Sequence, residues 1–185
     1  PVRRGVGSAS GWYGCGNTSL PNPSTIKAGI RADGCILLHQ GAMDIGQGAN
    51  TVIAQLFATA LGVPVAEIGL IGPDTDVTPD AGKTSASRQT FVSGNAARLC
   101  GEALRAKVLR VVNASDRAVL SVAAGAIIVD DGASRHRIAL APLDADGDGY
   151  VCAASGHYDP PTKPLDANGQ GEPYAQFGYA AQLAV

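Results

Sequence analysis

An Asp-Gly pair at positions 33–34 separates two apolar segments and decides how this part of the chain can fold. Residues 25–31 alternate, which places Ile26, Ala28 and Ile30 on one face of a strand. Residues 35–41 (CILLHQG) supply a return strand, and Asp-Gly between such segments is a strong hairpin signal. The period then changes. Ile53, Leu56, Phe57, Ala60 and Leu61 recur at helical spacing and form one apolar stripe. Asn50 is the expected N-cap of this helix, and Gly62 and Pro64 are its stop signals.

Further along, residues 67–72 (EIGLIG) read as a short buried strand and 73–90 as a long polar loop. A second helix is predicted from about Ser93 to Val112, with Ala96, Leu99, Cys100, Ala103 and Leu104 on its buried side. Residues 125–140 read as strand, turn and strand, with Asp131-Gly132 at the turn. Residues 1–24 and 141–173 read as irregular, and the run YAQFGYAAQLAV closes the chain as an apolar strand. The order predicts an α+β fold: a two-layer domain in which a mixed β-sheet carries two main helices packed on one face. The 185 residues are expected to form a single domain. Domains usually finish in polar, exposed segments, so the apolar last strand leads us to expect a fragment or a split subunit, or a strand that pairs with a partner.

Charge narrows the partners. A net charge of −2 gives no field that would draw nucleic acid or an anionic membrane. No apolar run reaches the roughly 18 residues of a membrane span, and the opening PVRRGVGSASGWYG has no apolar signal core. The four cysteines, Cys15, Cys35, Cys100 and Cys152, form no CxxC pair. They are expected to be reduced and mostly buried, in a cytoplasmic protein, with the periplasm as the alternative. Glycine, at 24 of 185 residues, is about twice its average frequency, which suggests tight turns or backbone lying against a ligand.

Two stretches carry the chemistry. Gly46-Gln47-Gly48 precedes the first helix. Glycines there let backbone N–H groups approach an anion at a helix N-terminus, and glutamine adds a donor and an acceptor. The same residues also suit a simple tight turn. The second stretch, KTSASRQT (83–90), concentrates hydroxyls and two cations ahead of the second helix. It suits a pyrophosphate, with Arg88 as a bidentate partner, or a capping loop with internal hydrogen bonds. No Walker A sequence occurs. The DADGDG stretch (144–149) resembles the start of a calcium loop, but its twelfth position is Ser155, so a turn is expected. His39, His136 and His157 lie far apart and show neither ligand spacing nor a triad.

Taken together, GAMDIGQGANTVIAQLFATALGVPVAEI and DTDVTPDAGKTSASRQTFVSGNAA resemble the molybdenum hydroxylase family, the xanthine dehydrogenase and aldehyde oxidoreductase group. RRGVGSASGWYG before them and YAQFGYAAQLAV after them fit the same order, so the resemblance covers almost the whole chain. It implies part of the second cofactor-binding domain of the large subunit. It further implies molybdenum on a molybdopterin cofactor, in bacteria often the cytosine dinucleotide, and hydroxylation of a carbon with oxygen from water. Substrates across the family are aldehydes, purines and N-heteroaromatics. Electrons would leave through two [2Fe–2S] clusters, usually to FAD, in partner domains or subunits and not in this chain. By resemblance, Gln47 of Gly46-Gln47-Gly48 sits beside molybdenum and pterin, and Thr84, Ser85, Ala86, Ser87 and Arg88 contact the dinucleotide and its pyrophosphate. The family's catalytic glutamate lies in a late Gly-x-Gly-Glu motif. GQGEP (169–173) mimics it, but Glu172 directly precedes the last strand and is expected on an exposed loop, so no catalytic residue and no metal ligand is assigned to this chain. By itself the chain is expected to be inactive. Two other readings stand beside this one: a non-catalytic assembly module packed against partner subunits, and a generic phosphate- or nucleotide-binding domain.

Overall fold

The structure, a computed structural model, describes residues 3–16, 18–123, 125–173 and 177–185. Its strands form three sheets. Strand β1 (Gly7–Gly14) pairs with the last strand, β9 (Phe177–Ala184), as a two-stranded antiparallel ribbon. Strands β2 (Ser24–Ile30), β3 (Ile36–Gln40), β4 (Ile68–Ile71) and β8 (Cys152–Tyr158) form a mixed sheet in the order β4-β3-β2-β8. Strands β5 (Val119–Ala123), β6 (Ala126–Asp130) and β7 (Arg135–Ala139) form an antiparallel meander.

The predicted hairpin is β2–β3, with Gly34 at φ 96° in its turn, where only glycine is unstrained. Helix α1 (Ala49–Leu61) crosses from β3 to β4, which pair in parallel. The second helix, α2 (Gln89–Val111), packs against α1 and lies on β2 and β8. Register explains the helix-bearing face. Ile26, Ala28 and Ile30 oppose Gln40, Leu38 and Ile36 on one side and Gly156, Ala154 and Cys152 on the other. This face holds a fully buried core with Ile53, Phe57 and Leu61 of α1 and Ala96, Cys100 and Leu104 of α2. The core continues into the meander through Leu120, Ile127 and Val129. Close approach sets the spacing: a Cβ on Gly156 would lie 2.5 Å from the Cys100 amide nitrogen, so β8 rests on the α2 backbone.

The α+β class and the two helices on one face of a mixed sheet agree with the sequence. The differences have local causes. Residues 7–14 form a strand in place of the expected irregular segment, because small and polar residues there hide any alternation. Residues 152–158 form β8, whose buried positions are small (Ala154, Gly156) and so carry no apolar signal. Helix α2 begins at Gln89, four residues before Ser93, because buried polar partners stabilise its first turn. Gly48, at φ 81°, is the N-cap of α1 in place of Asn50. The first three residues of the final apolar run, 174–176, lie outside the described residues. Among the described residues no helix is long and apolar enough to cross a membrane.

Candidate functional site

The parallel pair β3–β4 places two loops at the same sheet edge, because both strands end there. Residues 41–48 follow β3 and residues 72–88 follow β4. Ligands of open sheets collect at this carboxyl edge of parallel strands. The two loops are tied together: the Thr84 hydroxyl donates to the Met43 carbonyl at 3.2 Å and accepts the Met43 N–H at 3.1 Å. Between them lies a cleft of about 440 Å³, lined by Ile45, Gln47 and the run Thr84–Thr90. That volume falls in the range of small-molecule sites.

The first loop is locked from within. Gln40 is fully buried; its amide oxygen accepts the Ala42 N–H at 2.8 Å, and its amide nitrogen donates to Ala42 O at 3.0 Å and Asn50 Oδ1 at 2.5 Å. Asp44 accepts the N–H groups of Gly46, Gly48 and Asn50 at 2.9–3.3 Å. These backbone donors, Asn50 N–H first, hold its carboxyl below the usual range. The start of α1 therefore already has an anion, supplied by the protein. Gln47 turns back on its loop, accepting Ile45 N–H at 2.7 Å and donating to Met43 O at 3.1 Å, while staying exposed.

The second loop is held by Arg88. Its side chain is fully buried, and its two terminal nitrogens donate to Ala81 O (2.7 Å), Lys83 O (2.9 Å), Asn22 O (2.6 Å) and Pro23 O (2.8 Å). Gly82, at φ 66°, lets the loop pass: a Cβ there would lie 2.8 Å from Pro23 O and 2.9 Å from Arg88 Nη1. This differs from the bidentate anion contact expected of Arg88, because four loop carbonyls use the terminal N–H groups. Beyond it, Ala86 and Ser87 adopt left-handed backbone at φ 53° and 54°. Such strain persists where neighbours enforce it, and here Gly16 N–H donates to Ala86 O at 2.6 Å and Cys15 Sγ–H to Ser87 O at 2.9 Å. Among the described residues no side chain caps α2, and helix geometry leaves the N–H groups of Gln89 and Thr90 without an intrahelical partner; both residues line the cleft with Ser85 and Ser87.

The structure thus brings Gln47 together with Thr84, Ser85, Ala86, Ser87 and Arg88. Gly46 and Gly48 lie beside the cleft and donate to Asp44 instead of lining it. Sequence reasoning missed Asp44, Ile45, Gln89 and Thr90. Asp44 was detectable as the carboxylate just ahead of a glycine-rich helix start. The other motifs lie elsewhere. Glu172 is exposed and pairs with Lys163 at 2.5 Å. Asp146 accepts the N–H groups of Asp148 and Tyr150, each at 2.9 Å, which makes DADGDG a turn, and Asp148 pairs with Lys27. His39 is buried; its Nδ1 donates to Val77 O at 3.0 Å, so its Nε2 accepts the Tyr150 hydroxyl at 2.5 Å. Cys15 and Cys100 are buried, Cys152 is half-buried and Cys35 is exposed, all as free thiols.

These features define an α+β domain whose cleft offers hydroxyls and helix-start N–H groups and, among the described residues, has no carboxylate in its lining. The whole chain, residues 1–185, matches the molybdopterin cofactor-binding domain family, and the chain belongs to that family. The xanthine dehydrogenase molybdenum-binding subunit of Escherichia coli O157:H7 is 41% identical over 114 residues, 58% of this chain and 15% of its own length. The aldehyde oxidoreductase of Megalodesulfovibrio gigas is 37% identical over 105 residues, 55% of this chain and 12% of its length. The crystal structure of the aldehyde oxidoreductase from Desulfovibrio desulfuricans superposes with a TM-score of 0.71 at 28% identity, over 97% of this chain and 17% of that one. The Cu,Mo-CO dehydrogenase shares the fold, with a TM-score of 0.64 at 20% identity, over 97% of this chain and 23% of that chain. The chain thus spans less than a fifth of the length of the curated relatives cited here.

Proposed function

We propose that the cleft between the 41–48 and 84–90 loops holds the dinucleotide form of molybdopterin, the cytosine dinucleotide, within a molybdenum hydroxylase. The observation that carries this reading is the convergence of Gln47 with Thr84–Thr90 on one cleft. The donor set fits the group. A pyrophosphate needs hydrogen-bond donors and a positive end of a helix dipole. The cleft has hydroxyls, first-turn N–H groups and, among the described residues, no lining carboxylate. Gln47 lies on the molybdenum and pterin side, and residues 84–87 bind the nucleotide side through hydroxyls and backbone. Arg88 holds that loop in shape. When bound, the molybdenum centre supplies carbon hydroxylation with oxygen from water. In this reading residues 1–185 are one domain of the large subunit, and the rest of that subunit, with iron–sulfur and FAD domains or subunits, completes the enzyme. Aldehydes, purines and N-heteroaromatics are its substrate classes.

The β1–β9 ribbon favours a second, compatible role in assembly. Trp12 is 70% exposed and Tyr179 80%, they pair across the ribbon, and Leu183 is exposed further along the same face. An isolated two-stranded ribbon is marginal in water, and this apolar face suits packing against the remainder of the enzyme. The test for the cofactor is compositional. Acid treatment of the holoenzyme should release one cytidine monophosphate per molybdenum, and Ser85→Trp, which fills the cleft, should remove both. Full molybdenum and nucleotide content in folded Ser85→Trp overturns the reading.

A further inference from the structure

We propose that Gln89 is a positioning residue that sets the separation of the two cleft loops and thereby governs how long the cofactor stays bound; the inference rests on the cofactor reading above. Gln89 is buried in the first turn of α2, and its amide is used at both ends. The nitrogen donates to Lys83 O and to Thr84 Oγ1, each at 3.2 Å. The oxygen accepts the Ser93 hydroxyl. Ser93 Oγ lies 2.8 Å from Ser24 Oγ on β2, and since its proton goes to Gln89, Ser24 is the donor of that pair.

The far end of the chain is fixed in the same way. Thr84 gives its proton to Met43 O, so its oxygen is free to accept from both Met43 N–H and Gln89. A single directed chain therefore runs from the sheet at Ser24, through Ser93, Gln89 and Thr84, to the backbone of the Gln47 loop. An amide suits position 89, because it accepts at one end and donates at the other. Gln89 acts through Thr84: removing its nitrogen loosens the only side-chain hydrogen bonds recorded between the two loops among the described residues.

The experiment follows cofactor release from the holoenzyme by molybdenum content and pterin fluorescence, with the melting temperature recorded in parallel. Gln89→Met keeps the length and apolar bulk but has no amide. Thr84→Val keeps the shape but has no hydroxyl. Each is expected to speed release about tenfold, the equivalent of ~1.4 kcal/mol. Because both remove one linkage, the double variant should release no faster than the singles. A roughly hundredfold effect in the double variant, or wild-type release from Gln89→Met, overturns the inference. Should Gln89→Met fail to accumulate, Ser93→Ala decides. It removes the hydroxyl that orients the amide, from a buried site behind the cleft, and must also speed release. Ser85→Trp separates the two levels. Expulsion by Ser85→Trp with normal release from Gln89→Met sinks only the role of Gln89; full retention by Ser85→Trp sinks the site itself.

Discussion

Arg88→Met tests whether the guanidinium shapes the loop or grips a ligand. Methionine replaces the apolar stem and fills most of its volume, but it supplies no donors. Four carbonyls lose a partner. Lys83 O keeps a bond from the Gln89 amide, and Pro23 O lies in a part-buried setting that water can reach. Ala81 O and Asn22 O lie in buried settings and lose their Arg88 bonds. An unsatisfied buried carbonyl costs ~1–3 kcal/mol, so the two together cost about 4 kcal/mol. For a chain of this size that is a fall in melting temperature of about 10 °C. Urea unfolding followed by circular dichroism gives the free energy, and a thermal scan gives the shift. Arg88→Lys should fall between, since one ammonium cannot fork to four acceptors. A melting temperature within about 2 °C of wild type, together with lost cofactor, would refute the argument and return Arg88 to the ligand.

Four further outcomes follow from the packing and the charges. Gly156→Ala drives a Cβ against the Ala96 and Cys100 backbone of α2, where neither side can yield cheaply, and should cost more than ~3 kcal/mol by urea unfolding. Burial holds the His39 imidazole below its usual value, so its contribution is intact above about pH 6.5 and falls away as the unfolded state takes up the proton on acidification. Stability should therefore decline more steeply between about pH 7 and 5 in wild type than in His39→Gln, measured by urea midpoints; parallel curves would show that His39 is not the source. Burial pushes the Cys100 thiol up to about 12, so it should resist maleimide in the native state. The Asp33 carboxylate, by hydrogen bond and charge, raises the exposed Cys35 thiol, so Asp33→Asn should speed Cys35 labelling at pH 8.

The legible parts of this chain were those written in large apolar residues. Ile26, Ala28 and Ile30 with Asp33-Gly34 gave the hairpin, and Ile53, Phe57 and Leu61 gave α1. What stayed hidden was written in small and polar residues. Gly156 and Ala154 make β8 a core strand by letting a helix backbone approach, and a missing side chain leaves no period to read. The start of α2 was hidden for the opposite reason. Arg88 and Gln89 look like solvated loop until tertiary carbonyls and the Ser93 hydroxyl take up their polar groups. The residues grouped as a ligand-binding stretch divide in the same way: Ser85 and Ser87 face outward, and Arg88 turns in.

The two helix starts at this edge show why an anion would settle at one and not the other. Both carry a positive dipole end and both follow a parallel strand. At α1 the chain places Asp44 over the N–H groups of Gly46, Gly48 and Asn50, so donors and dipole are already neutralised by an internal carboxylate. At α2 no side-chain cap exists among the described residues, although Ser85 and Ser87 stand close in sequence to its start. Left-handed backbone at Ala86 and Ser87, fastened by Cys15 and Gly16, accompanies this open start. Strain of that kind costs stability at each residue, and these two bonds hold it in place. In the cofactor reading proposed above, a ligand oxygen takes the place of a side-chain cap. In the same reading, the Asp44 carboxylate disfavours an anion at the Gln47 loop, which leaves α2 as the end for the ligand's negative charge.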